Sequence, residues 1–185
     1  LYQDMIAKSL LSRGNNRRLK TAIEKAKRGE EVTIAYIGGS ITQGAGAKPI
    51  HSNCYAYRSY EHFKRMFAPG SGAIRFIKAG VGGTPSELGI VRYDRDVTRD
   101  GTVLPDIVVV EFAVNDEGDE TKGNCYESLC RTILAAPNQP SVILLFSVFV
   151  DDWNLQDRLS PVGYHYDLPM VSVKDAVVEQ FRLSK

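Results

Sequence analysis

Apolar residues in this chain fall into two patterns that take turns along its length. Short continuous runs occur at Val32–Ile37, Ile74–Ile77, Asp106–Val110, Val142–Phe146 and Met170–Val173. Between them, apolar positions repeat at helical spacing. Leu19 and Ile23 do so within residues 16–29, which Gly29 ends, as do Ala56, Tyr60, Phe63 and Phe67, and later Tyr126, Leu129, Cys130, Ile133 and Leu134. A further helix is expected from Thr84-Pro85-Ser86-Glu87, where Thr84 caps, Pro85 takes the first turn and Glu87 completes a capping box. Ser160-Pro161 reads as the start of a short helix, and residues 174–183 as a closing one. Runs that are apolar on both faces, separated by amphipathic helices, predict a parallel sheet covered on both sides. The expected architecture is a three-layer α/β/α sandwich forming one domain over residues 1–185, with residues 1–30 as an N-terminal helical extension.

In such sheets ligands bind beyond the carboxyl ends of the strands. That rule selects the loops 38–48, 79–86 and 112–120. The first reads Gly38-Gly39-Ser40-Ile41-Thr42-Gln43-Gly44, and its serine is placed to show a hydroxyl at the sheet rim. A helix cap is the plainer reading of a serine there. Three sharper motifs fail. Thr42 stands where a hydrolase elbow needs glycine, Ala45 where a P-loop needs lysine, and Pro85 where a dinucleotide fingerprint needs its third glycine. The second loop, Ala79-Gly80-Val81-Gly82-Gly83-Thr84, offers backbone N–H groups that suit an anion, or else is a tight turn. In the third, Asn115 offers a carboxamide donor just past an apolar strand, and Asp116 reads as a turn or capping residue.

Composition narrows the partners. Lys plus Arg is 23 and Asp plus Glu 22, a net charge of +1 that gives no attraction to nucleic acid or anionic membrane. No apolar run is long enough to span a bilayer. The chain begins at Leu1 rather than Met, so the lack of a leader leaves the compartment open. The three cysteines, Cys54, Cys125 and Cys130, match no zinc spacing and read as free thiols, the last two sharing one helix. No metal ligand set is expected.

Taken together, Ser, Gly and Asn at three successive strand ends resemble the SGNH hydrolases, the GDSL-like lipase and esterase superfamily. Gly38-Gly39-Ser40-Ile41-Thr42 resembles the family's first block, with Gly39 in place of its aspartate. Ala79–Gly83 resembles the second, with Lys78 for the usual asparagine, and Val114-Asn115-Asp116 the third, with Ala113 for glycine. The resemblance implies a flavodoxin-like, five-stranded parallel sheet and no cofactor. It further implies acyl transfer to Ser40, with the N–H groups of Ser40 and Gly83 and the Asn115 amide as the oxyanion hole. The expected substrate is an O-acyl ester, foremost O-acetyl groups on carbohydrate. The family's base comes from D-x-x-H after the last strand, and neither His51, His62 nor His165 sits in that motif, while Asp175 is followed three residues on by Val178. The expectation is a C-terminally incomplete chain with impaired reactivity and a surface prone to self-association. Two other readings stay open: a flavodoxin-like protein holding phosphate or FMN at Ser40–Gly44, and a carbohydrate-binding module without turnover.

Overall fold

The computed structural model describes residues 2–183. Helix α1 (Tyr2–Ser9), strand β1 (Leu10–Ser12) and helix α2 (Arg17–Lys27) lead into β2 (Val32–Gly38). Short helices α3 (Ser40–Gln43) and α4 (Ile50–Asn53) precede α5 (Tyr55–Phe67) and β3 (Ile74–Gly80). Then come α6 (Ser86–Tyr93), β4 (Ile107–Glu111), α7 (Asn124–Leu134), β5 (Ser141–Phe146), α8 (Gln156–His165), β6 (Met170–Ser172) and α9 (Val173–Leu183). The sheet order is β1-β6-β5-β4-β2-β3. Strands β2 to β6 run parallel, and β1 closes one edge antiparallel to β6.

The three-layer α/β/α architecture is as the hydrophobic pattern predicts. Alternate residues of one strand feed opposite cores. Ala35 and Ile37 join Val108, Val110, Leu144 and Phe146 under α7, where Tyr126, Leu129 and Ile133 are buried. Val32, Ile34 and Tyr36 face the other way, against Ala22 and Ala26 of α2 and Tyr60 of α5. On that second face an apolar groove of about 270 Å³ remains open, lined by residues including Leu19, Phe63, Ile143, Leu145 and Val171. No helix among the described residues is long and apolar enough to cross a membrane.

Three details differ from the sequence reading. The sheet has six strands rather than five, because β1, within the first 30 residues, pairs with the last strand. Helix α8 starts at Gln156, and Pro161 lies inside it. The Asn154 side chain accepts from the Gln156 N–H (3.2 Å) and supplies the start signal that Ser160-Pro161 was expected to give. The capping box at Thr84 does not form. The Thr84 hydroxyl donates to the Val81 carbonyl (2.7 Å), and the carboxylate of Asp116 takes the Ser86 N–H instead (2.7 Å). A buried carboxylate that must find donors is the stronger acceptor for a helix start.

Candidate active site

Strand order makes the site. Strand β2 lies between β3 and β4, so the loops that leave these three carboxyl ends are neighbours at the point where the chain's winding reverses. The three sequence-selected loops are those three. Gly39 N–H donates to the Glu111 carbonyl (3.3 Å), and Val81 N–H to the Gly38 carbonyl (3.1 Å), which carries the strand pairing into the loops.

Ser40 opens α3 and is half-buried. Neither its hydroxyl nor its N–H has a hydrogen-bond partner among the described residues. A side chain on Gly82 would begin 3.7 Å from the Ser40 Cβ, so the second loop passes directly beside the serine. Gly82 N–H is taken by the Gln43 side-chain carbonyl (2.9 Å). Gly83 follows with φ at +72°, exposed, and its N–H has no partner among the described residues. Asn115 packs its carboxamide on Gly39, where any Cβ would collide with it. Its Oδ1 is buried without a partner, which leaves Nδ2 as the end of the amide available to a ligand. Ser40, Gly83 and Asn115 are thus drawn to one rim with donors uncommitted.

Sequence reasoning missed what lies beneath. Glu111, the last residue of β4, is fully buried. Its carboxyl accepts from the hydroxyls of Ser147 and of Thr42 (3.2 Å to Thr42), and Thr42 also shares a hydrogen bond with the Tyr55 hydroxyl (2.8 Å). Burial pushes the Glu111 carboxyl up to about 7, against the pull of the two hydroxyls. Asp116, also fully buried, binds the Ser86 N–H and hydroxyl (2.7 and 2.8 Å), so it caps α6 rather than the turn that follows it. Burial raises its carboxyl to about 6. Arg92, on α6, reaches under the loops and donates to the carbonyls of Ala79 (2.7 Å) and Gly38 (2.9 Å) while pairing with Asp96 (3.1 Å). A lone charge closing an apolar strand, and an arginine on the inner side of an apolar helix, were the signals for Glu111 and Arg92.

No histidine among the described residues is bonded to Ser40. His51 is exposed on α4, and His62 is exposed on α5 beside Arg65. His165 ends α8, towards the amino ends of the strands and away from the carboxyl-end rim of Ser40, since α8 runs back to the start of β6. All three cysteines are free. Glu87, Asp119 and Cys125 bring potential ligand atoms within 4.8 Å of one another, but the Asp119 carboxylate already holds Thr121 and the Gly123 N–H. A phosphate at Ser40–Gly44 fits poorly, because the Thr42 hydroxyl is buried and turned to the Glu111 carboxyl.

Comparison with known proteins agrees with this fold. The profile of the GDSL-like Lipase/Acylhydrolase family matches residues 36–176. Among solved structures, a two-domain esterase active on acetylated mannans is 36% identical with a TM-score of 0.84 and matches 94% of this chain. The chain spans 46% of the length of that protein. AlinE4, an SGNH-hydrolase family esterase, is 18% identical with a TM-score of 0.62, over 83% of this chain and 82% of its own. A lipase/acylhydrolase from Enterococcus faecalis is 21% identical with a TM-score of 0.58, over 80% and 79%. No curated protein matches the chain significantly.

Proposed function

Since the chain belongs to the GDSL-like lipase/acylhydrolase family of SGNH esterases, we propose that it carries the acyl-transfer half of a serine esterase, with Ser40 as nucleophile. The observation that supports this most directly is the convergence of an unpartnered serine hydroxyl with unpartnered donors from two other strand ends. In this reading Ser40 Oγ attacks the ester carbonyl. The oxygen that gains charge is held by the N–H groups of Ser40 and Gly83 and by Asn115 Nδ2, all in place before the reaction begins. The alcohol leaves, and water then releases the acid.

The substrate we propose is an O-acetyl group on a polysaccharide. Its support is the likeness to an esterase active on acetylated mannans over nearly the whole chain. The proton acceptor for Ser40 lies outside residues 1–185 in this reading, because none of the three histidines is bonded to the serine.

The test has two parts. In the native protein, Ser40→Ala abolishes acetate release from acetylated mannan, and retained release overturns the assignment. Residues 1–185 alone hydrolyse p-nitrophenyl acetate about 10²–10⁴-fold more slowly than the native protein, the usual contribution of a general base. Equal rates place the base inside the chain.

A further inference from the structure

The segment that follows β5 carries the one tryptophan of the chain, Trp153. Its ring stacks on Phe149, with centroids 5.8 Å apart and planes at 16°. Phe149 is 43% exposed, and Trp153 is half-buried. The pair is held in a closed turn: Phe149 N–H donates to the Trp153 carbonyl (3.1 Å) and Asp152 N–H to the Phe149 carbonyl (3.0 Å). That turn is itself tied to the candidate site. Leu155 N–H donates to the carbonyl of Ala113 (2.8 Å), two residues before Asn115. The Arg158 guanidinium donates to the carbonyl of Asp116 (2.9 Å), the residue after it. Asn154 and the Ser147 hydroxyl complete the link, the first to the Ser147 carbonyl (2.9 Å), the second to the Glu111 carboxyl.

Strand β5 stands two places from β2 in the sheet, about 10 Å at ordinary strand spacing. The segment that carries the aromatic pair therefore leaves the sheet at the same rim as the loop of Ser40. Rigidly presented aromatic surface left in water beside a site is the kind of surface that binds. What it binds is set by its chemistry. The flat, C–H-rich face of a pyranose packs on an aromatic ring, while its rim needs hydrogen bonds, and the exposed carboxylate of Asp151 stands next in the turn to accept hydroxyls. The neighbouring guanidinium, Arg182, is already paired with Asp152 (3.1 Å), so the turn presents no free cation of its own for a phosphorylated ligand.

We propose that Phe149 and Trp153 form a sugar-stacking subsite, which holds a pyranose ring of the polysaccharide while the acetyl group sits at Ser40. This rests on the esterase reading above, and it adds which residues would give that site its preference for carbohydrate.

Trp153 is the only tryptophan of residues 1–185, so in this chain its fluorescence reports on the subsite directly. Titrating residues 1–185 with mannopentaose shifts the emission saturably, and Ser40→Ala in the same chain binds as tightly. Phe149→Ala binds about tenfold more weakly, as for the loss of one stacking contact. Trp153→Phe, followed by calorimetry, keeps most of the affinity, since a ring remains. No saturable emission change together with no heat of binding overturns the subsite, and so does native affinity in Phe149→Ala. The two readings fail separately. Acetate release that needs Ser40 but ignores Phe149 sinks the subsite alone. Sugar binding that tracks Phe149 in a protein whose acetate release survives Ser40→Ala sinks the nucleophile alone.

Discussion

At the scale of single residues, the contact between Gly39 and Asn115 is the tightest constraint on the site. The carboxamide occupies the space that a Cβ at Gly39 would need. Gly39→Ala must therefore displace Asn115 or the serine loop, at a cost of about 1–3 kcal/mol for overpacking a filled site. Ser40-dependent turnover falls with it. Asn115→Ala removes the proposed oxyanion donor and lowers kcat by about 10²–10³ with little change in KM. The two changes are coupled, because deleting the carboxamide also deletes the obstacle. Gly39→Ala introduced into Asn115→Ala costs less stability than in the native background, and urea midpoints of the four proteins measure the difference. Strict additivity would mean that the two residues do not press on each other.

Among the elements, α6 couples two loops of the site through Arg92. Its guanidinium spans the carbonyl ends of β2 and β3, at Gly38 and Ala79, where the serine and glycine loops begin. Arg92→Met keeps the length of the side chain and removes the donors. It lowers stability by about 1.5–3 kcal/mol for each charged hydrogen bond lost, the Gly38 carbonyl keeping the Val81 N–H, and it speeds amide exchange at residues 40–43 and 80–83 more than in the α7 core. Uniform faster exchange across the molecule would argue that Arg92 serves only global stability. This arginine also shows where sequence reading stops. The strands at 32–37, 106–110 and 142–146 were legible because continuous apolar runs need two covered faces, and the three loops followed from strand polarity. Strand β1 is three residues long, and its partner lies near the other end of the chain, so local pattern carries no sign of it. The same holds for Arg92, for Glu111 and for the capping role of Asp116. Each depends on which strand ends are neighbours, a fact of topology that no window of sequence contains. The misplaced start of α8 has a different cause: a proline was read as a beginning, while the Asn154 side chain had already started the helix upstream.

For the molecule as a whole, the buried acids beneath the site set how stability depends on pH. Glu111 moves from the usual 4.5 to about 7 and Asp116 from 3.8 to about 6, both chiefly through burial. Each holds its proton more tightly folded than unfolded. Their contribution is therefore fully present below the unfolded values, and it is lost as pH rises through the folded ones. Between about pH 4 and pH 7 the fold weakens on their account, by roughly 3 kcal/mol for Glu111 alone at about 1.4 kcal/mol per pH unit. Glu111→Gln keeps the shape, and its amide still meets the Thr42 and Ser147 hydroxyls, but it cannot ionise. The stability of this variant relative to native protein, followed by urea unfolding from pH 4 to pH 8, rises with pH and levels off above pH 7. A constant offset across that range would mean that the Glu111 carboxyl ionises alike in the folded and unfolded chain. The same ionisation places a charge directly under Thr42, two residues from the nucleophile, and strengthens the hydrogen bond that the Thr42 hydroxyl donates, so the serine loop stays anchored over the interval in which burial of the charge weakens the whole fold.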